Sequence, residues 1–152
     1  MAEHKASIAW SHQRGDFLKG TYSREHTWTF DGGAVVPASP ALSSVPLPYS
    51  KAANVDPEEA FIAAISSCHM LTYLYLAYRA GFDVASYEDH AVGHTELNDR
   101  GASWVSRVQL RPRIEYRGTA PTREEEDHLH HAAHEDCTIA NSVATEITIA
   151  RP

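Results

Sequence analysis

The sequence holds little cysteine, no basic surplus and no glycine-rich phosphate motif, and each shortage removes a class of function. Only two cysteines, Cys68 and Cys137, occur among the 152 residues, too few for a disulfide-built secreted scaffold. A chain of this length buries roughly two-thirds of the surface its unfolded form exposes, so it needs no such staple. Lys and Arg number 13 against 20 Asp and Glu, a net charge of −7. No basic run offers contacts to phosphates, which argues against nucleic acid as a partner. Neither Gly-x-Gly-x-x-Gly nor a P-loop occurs, and no cofactor is expected. The stretch from Met1 to Trp10 has no apolar core of signal-peptide length, which predicts a cytoplasmic protein. There, two cysteines are free thiols or a redox pair rather than a structural bridge.

Long apolar runs are scarce as well. Ala60 to Tyr78 is the one stretch that approaches the ~20 residues of a membrane span. Ser66, Ser67, His69, Thr72, Tyr73, Tyr75 and Tyr78 interrupt it, so it reads as a buried helix and no membrane is expected. The hydrophobic fraction is 43% and the charged fraction 22%, close to ordinary globular usage. One domain over residues 1–152 follows from the length.

Local signals then lay out the elements. His4 to His12 and Tyr22 to Phe30 have strand character, and Asp31-Gly32-Gly33 marks a turn. Pro37 to Pro48 contains Pro37, Pro40, Pro46 and Pro48 and reads as an irregular crossing segment. Asp56-Pro57-Glu58-Glu59 reads as a helix start, with Asp as N-cap, Pro at the first helical position and acids in the first turn. That helix is predicted to reach about Ala80 and to stop at Gly81, a length of about 35 Å. It is apolar on nearly all faces and therefore must be covered on all of them, which points to a dimer packed around it.

Val84 to Leu97 and Ala102 to Tyr116 are predicted as two long strands joined at Asn98-Asp99-Arg100-Gly101, with Pro112 at an edge or bulge. Thr122-Arg123-Glu124-Glu125 opens a second helix with a capping box. On that Glu-rich helix His128, His130 and His131 read as solvated. Val143 to Ile149 is a final β-branched strand. Strands, a long helix, strands, a helix and a strand make an α+β fold, with helices gathered on one face of a mainly antiparallel sheet.

Cys68 lies mid-helix in Ser66-Ser67-Cys68-His69-Met70, and Cys137 lies 69 residues on, in His134-Glu135-Asp136-Cys137-Thr138. A mid-helix thiol gains nothing from a helix N-terminus, so reactivity at Cys68 requires a cation from elsewhere. On residues alone the two cysteines are either unrelated core residues or an attacking and a resolving thiol, in which a sulfenic acid condenses with the second sulfur. His134-x-x-Cys137 has short ligand spacing. Adjacent Cys68 and His69 point about 100° apart on a helix, however, so they make a poor zinc set and a poor triad, and no metal is expected.

Asp56-Pro57-Glu58-Glu59-Ala60-Phe61-Ile62-Ala63-Ala64-Ile65-Ser66-Ser67-Cys68 resembles the Asn-Pro-Glu-x-Leu-x-Ala-Ala-x-x-x-Ala-Cys helix of the OsmC/Ohr peroxidases, with the same interval of ten from Glu58 to Cys68. His134-x-x-Cys137, followed by Ile139, Asn141 and Ser142, resembles that family's second cysteine segment. The resemblance implies an OsmC-like fold, a long central helix and an intertwined homodimer. It implies a peroxidatic Cys68, a resolving Cys137, and a disulfide cleared by a lipoyl-type dithiol reductant. It also implies an arginine that activates the thiolate, read as Arg24 with Arg14 as fallback, and an orienting glutamate, Glu58. Organic hydroperoxides are the implied substrate. An apolar pocket for them is expected from Phe61, Ile65 and Met70 with aromatics of the partner chain. Thr138 after the second cysteine, His69 after the first, and the lack of a glycine-rich stretch around the arginine place the resemblance in the broader OsmC-like branch. The alternative reading is a non-catalytic redox sensor or small-ligand binder.

Overall fold

The computed structural model of the chain describes residues 1–151, and the backbone divides into two compact units, Met1–Ala60 and Phe61 onward. In the first unit β1 (Ala6–Ala9), β4 (His26–Phe30) and β5 (Val35–Ala38) form an antiparallel sheet in the order β1-β4-β5, while β2 (Gly15–Asp16) and β3 (Thr21–Tyr22) make a short hairpin. Gly15 has φ +83°, and a Cβ there would lie 1.7 Å from the Thr21 carbonyl oxygen, so this turn admits only glycine.

Two expectations change here. The strand read from Tyr22 to Phe30 is broken, because the Ser23 N–H is taken by Arg14 O at 3.3 Å and the Arg24 N–H by Tyr49 O at 3.0 Å. The prolines begin inside a strand rather than a crossing segment, since Pro37 sits in β5, the outer strand of its sheet. A missing N–H does least harm on an edge strand.

Helix α1 (Pro57–Arg79) begins as the sequence predicts. The Glu59 N–H donates to Asp56 Oδ1 at 2.8 Å and the Asp56 N–H to Glu59 Oε2 at 3.0 Å, a reciprocal box that satisfies two orphan donors. Beyond its end, Gly81 takes φ +87°. In the second unit follow β6 (Asp83–Asp89), β7 (Val92–Leu97), β8 (Ser103–Leu110), β9 (Pro112–Arg117), α2 (Arg123–Asp136), a 3₁₀ turn (Ala140–Ser142) and β10 (Glu146–Ile149). Strands β10-β8-β7 form one sheet, with β10 parallel to β8, and β6-β9 form an antiparallel pair. The fold is α+β, two helices with antiparallel-rich sheets.

The two long strands of the sequence reading are each divided, between β6 and β7 and at Arg111. Asp89 is the reason: Oδ1 accepts the Arg111 N–H at 2.6 Å, and Oδ2 accepts the Ser66 hydroxyl of α1. Pro112, with no N–H of its own, opens β9. One carboxylate thus ends β6, bends the facing strand and ties both to the helix that carries Cys68.

Helix α1 buries Ile65, His69, Tyr73 and Ala77, a stripe at four-residue steps. Tyr73 and Ala77 pack with Leu129 and Ala133 of α2, while Ile65 packs with Val108 and Leu110 of β8. Ala63, Ala64, Ser67, Leu71, Tyr75 and Tyr78 remain exposed. Within the second unit, then, α1 is covered along that stripe and the residues flanking it, such as Phe61, Ser66 and Leu76, and not on all sides. By length and composition α1 is apolar enough to cross a membrane.

Candidate active site

Cys68 stands near the middle of α1, half-buried and one residue to the side of the core stripe. Cys137 is the C-cap of α2, with φ −72° and ψ 115°, and is 1% exposed. Both thiols are free, and they are neighbours, Cys68 acting on the Cys137 thiol. Residues far apart in sequence are therefore in contact because two helices of one unit deliver them. Burial pushes the Cys137 thiol up, and the neighbouring Cys68 pushes the same way. The Ala140 N–H, donating to Cys137 Sγ at 3.4 Å, and the Ile139 N–H work in the opposite sense.

Under Cys68 lies a buried polar chain that the sequence reading missed. His69 is 2% exposed and His130 is 3% exposed, with His69 Nε2 3.0 Å from His130 Nδ1. His130 is thus a core residue and not the solvated side chain expected of a Glu-rich helix. Its neighbours Leu129 and Ala133 are buried as well, so the inward face of α2 is short, and the acids and the other histidines lie around it. Burial drives His69 down to about 4, helped by the His134 charge and opposed by Asp89. Burial drives His130 down to about 3, with His69 and Arg151 adding to the effect. The His130 ring also packs on Tyr73, centroids 4.4 Å apart. The Tyr73 hydroxyl lies 2.6 Å from that of Tyr116, which donates to Glu126 Oε1 at 3.0 Å. Arg151 closes the chain on Glu126 at 3.0 Å and Asp127 at 2.7 Å. The four-residue spacing of Ile65, His69, Tyr73 and Ala77 was the available signal.

The other predicted residues lie in the first unit. Arg24 donates from Nη1 to Tyr22 O at 2.7 Å and from Nη2 to Gly20 O at 3.1 Å, with its guanidinium 4.0 Å above the Tyr22 ring. Arg14 instead pairs with Glu25, which also takes the Lys51 ammonium at 3.3 Å. The Ser23 hydroxyl and Lys51 hold the Glu25 carboxyl below its usual value. Glu58 is half-buried in the first turn of α1, where Asp56 and Glu59 make the N-terminal box. No ion pair joins Arg24 to Glu58 among the described residues. Ile65 is 1% exposed in the core, and Phe61 packs against its cluster. No three His, Cys, Asp or Glu side chains are grouped to hold a metal among the described residues.

The family model for OsmC-like proteins matches residues 50–150, a span that holds both cysteines and both helices. This chain belongs to the OsmC-like family. No curated protein sequence matches it. An OsmC-like protein of unknown function from Vibrio cholerae is 47% identical, with 99% of each chain covered and a TM-score of 0.95. An organic hydroperoxide resistance protein from Elizabethkingia anophelis shares the fold at 16% identity and a TM-score of 0.73, over 100% of this chain and 98% of that one. The organic hydroperoxide resistance protein OhrB of Bacillus subtilis does so at 18% and 0.63, over 98% of each. In this OsmC-like chain the second unit brings the two free thiols together, Cys68 half-buried and Cys137 buried.

Proposed function

We propose that the protein is a cytoplasmic thiol peroxidase that reduces organic hydroperoxides to alcohols. The observation that carries this reading is the contact between a half-buried Cys68 and a fully buried Cys137, both free. The Cys68 thiolate attacks the distal oxygen of ROOH, the O–O bond breaks, and the alkoxide takes a proton and leaves as ROH. Cys68 is then a sulfenic acid. Cys137 attacks its sulfur and water leaves, giving the Cys68–Cys137 disulfide, which a lipoyl-type dithiol returns to two thiols.

Arg24 is proposed as the cation that stabilises the Cys68 thiolate and the charge developing on the peroxide, with Glu58 as the acid that orients it. Charge supports Arg24 over Arg14: Arg14 is paired with Glu25, whereas Arg24 meets no carboxylate among the described residues and is held by its own loop. A homodimer is part of the proposal, supported by the exposed stripe of α1.

The test is peroxide consumption by the reduced protein with dihydrolipoamide, comparing cumene hydroperoxide with hydrogen peroxide. The expected result is rapid turnover of the organic peroxide that Cys68→Ser abolishes and Cys137→Ser slows. Absence of turnover with both thiols titratable overturns the reading and favours a redox sensor or small-ligand binder. One observation supports that second reading: both Nη atoms of Arg24 are bound to backbone carbonyls.

A further inference from the structure

We infer that the reductant attacks the disulfide at Cys68, and that Cys137 is the built-in leaving sulfur, received by the backbone amides of the turn that follows α2. The inference rests on the thiol-peroxidase reading and adds which of two sulfurs the reductant meets.

Thiol–disulfide exchange needs the three sulfurs nearly in line, and its rate depends on which sulfur can be reached. Cys137 is 1% exposed, whereas Cys68 is half-buried. A thiolate arriving from solvent therefore meets Cys68 first.

The surroundings of Cys137 are furnished to take charge. The Ala140 N–H already points at Cys137 Sγ, 3.4 Å away, and the Ile139 N–H acts in the same direction. Ala140 opens the Ala140–Ser142 turn and Ile139 is its N-cap, and Asn141 holds that turn onto the helix end. Asn141 Nδ2 donates to Glu135 O at 2.8 Å and to Cys137 O at 3.0 Å, and the Asn141 N–H bonds Cys137 O at 3.0 Å. In the dithiol, burial and Cys68 together outweigh the amides and keep the Cys137 thiol high. Two of those opposing causes come from Cys68 itself. Once Cys68 carries a mixed disulfide it has neither charge nor a proton to share, and only burial remains against the two amides. The Ala140 N–H, 3.4 Å from Cys137 Sγ, is in place to meet the charge as that sulfur leaves.

The electrons balance in two steps. A reductant thiolate forms a bond to Cys68 Sγ, and the electron pair of the Cys68–Cys137 bond goes to Cys137 Sγ, which then takes a proton. The reductant's second thiol, as thiolate, attacks its own sulfur in the mixed disulfide and expels Cys68 as thiolate. The dithiol is oxidised to a disulfide, and the protein disulfide is reduced by two electrons.

The test begins with full-length protein oxidised by diamide, so that the bond forms without any peroxide. Excess glutathione, which has a single thiol, is added and quenched in acid at early times, before a second molecule can resolve the mixed disulfide. Free thiols are then alkylated with N-ethylmaleimide and the peptides mapped by mass spectrometry. The expected result is the glutathione adduct on Cys68 and maleimide on Cys137. An adduct on Cys137, equal adducts on both, no adduct while dihydrolipoamide clears the bond, or no disulfide with diamide overturns the inference.

Asn141 is a positioning residue in this scheme. Asn141→Ala and the isosteric Asn141→Asp, which cannot donate, are both expected to slow reduction of the diamide-made disulfide about tenfold, the worth of one hydrogen bond near a charge. The stoichiometric oxidation of Cys68 stays unchanged. Equal slowing of both half-reactions would mark Asn141 as merely structural. Failure here leaves peroxide consumption intact, and loss of peroxide consumption leaves the exchange measurable, so the two claims are tested apart.

Discussion

His130 has one ring nitrogen 3.0 Å from His69 and the other, Nε2, buried without a partner. Both imidazoles are driven below the ordinary histidine value of 6.5, His69 to about 4 and His130 to about 3, chiefly by burial. A depressed base binds fewer protons folded than unfolded between those values and 6.5, so stability rises with pH across that window. Their contribution is full above pH 6.5 and is lost as the pH falls towards 4 and then 3. Thermal unfolding is expected to show Tm falling from pH 7 to pH 4, more steeply for the wild type than for His130→Phe. Phe keeps the packing on Tyr73 but cannot be protonated, and it leaves His69 Nε2 without its partner. The variant is therefore less stable at pH 8 while its slope below 6.5 is shallower. Equal slopes would show that the pair does not set the acid limit.

Helix α1 and the bent strands meet at Asp89, and this joint decides how β6, β7, β8 and β9 divide. Its carboxylate bonds both the Arg111 N–H and the Ser66 hydroxyl. Hydrogen bonds to a charged group contribute ~1.5–3 kcal/mol, and Asp89→Ala removes two while leaving the Arg111 amide to find water. We expect a loss of about 2 kcal/mol in urea unfolding, and a smaller loss for Asp89→Asn, which keeps an acceptor for Arg111. A loss under about 0.5 kcal/mol, the usual scale for a featureless surface site, would mean the strand break is set by Pro112 alone. This joint was not legible in the sequence, since Ser66 and Asp89 are brought together only by the fold. What was legible was local. The Asp56–Glu59 start of α1, the glycine after its end and the Thr122–Glu125 capping box are each written within a few residues, and the structure has all three. The burial of His130 was hidden by the acids around it, because a short inward face on a Glu-rich helix carries little periodic signal. The two cysteines stood out by their neighbourhoods, but their contact depends on how α1 and α2 pack.

At the scale of the molecule, the first unit is short of a core. Its buried residues are Ser23, Ala38, Ser39 and Ser50, while Ile8, Trp10, Phe17, Leu18, Phe30, Val35, Leu42 and Leu47 are exposed. All four residues of β1 are exposed and so are three of the five in β4, so the sheet β1-β4-β5 lacks the apolar cover that a stable layer requires. A unit of ~60 residues is marginal even with a good core. The second unit has the matching deficit, with Leu71 60%, Tyr75 49% and Tyr78 66% exposed along one side of α1. Both deficits disappear if a second copy of the chain supplies the cover, as the proposed homodimer requires. Sedimentation of the wild type is then expected to give a dimer at micromolar concentration, with a Tm that rises with protein concentration because association stabilises only the folded state. Leu71→Glu places a charge in the middle of the α1 stripe without touching Ile65, His69, Tyr73 or Ala77. It is expected to shift the protein towards monomer and to lower Tm, while Leu71→Met leaves both near the wild-type values. A wild type that sediments as a monomer and unfolds cooperatively at a concentration-independent Tm would show that one chain stabilises these faces alone, and the homodimer would have to be abandoned.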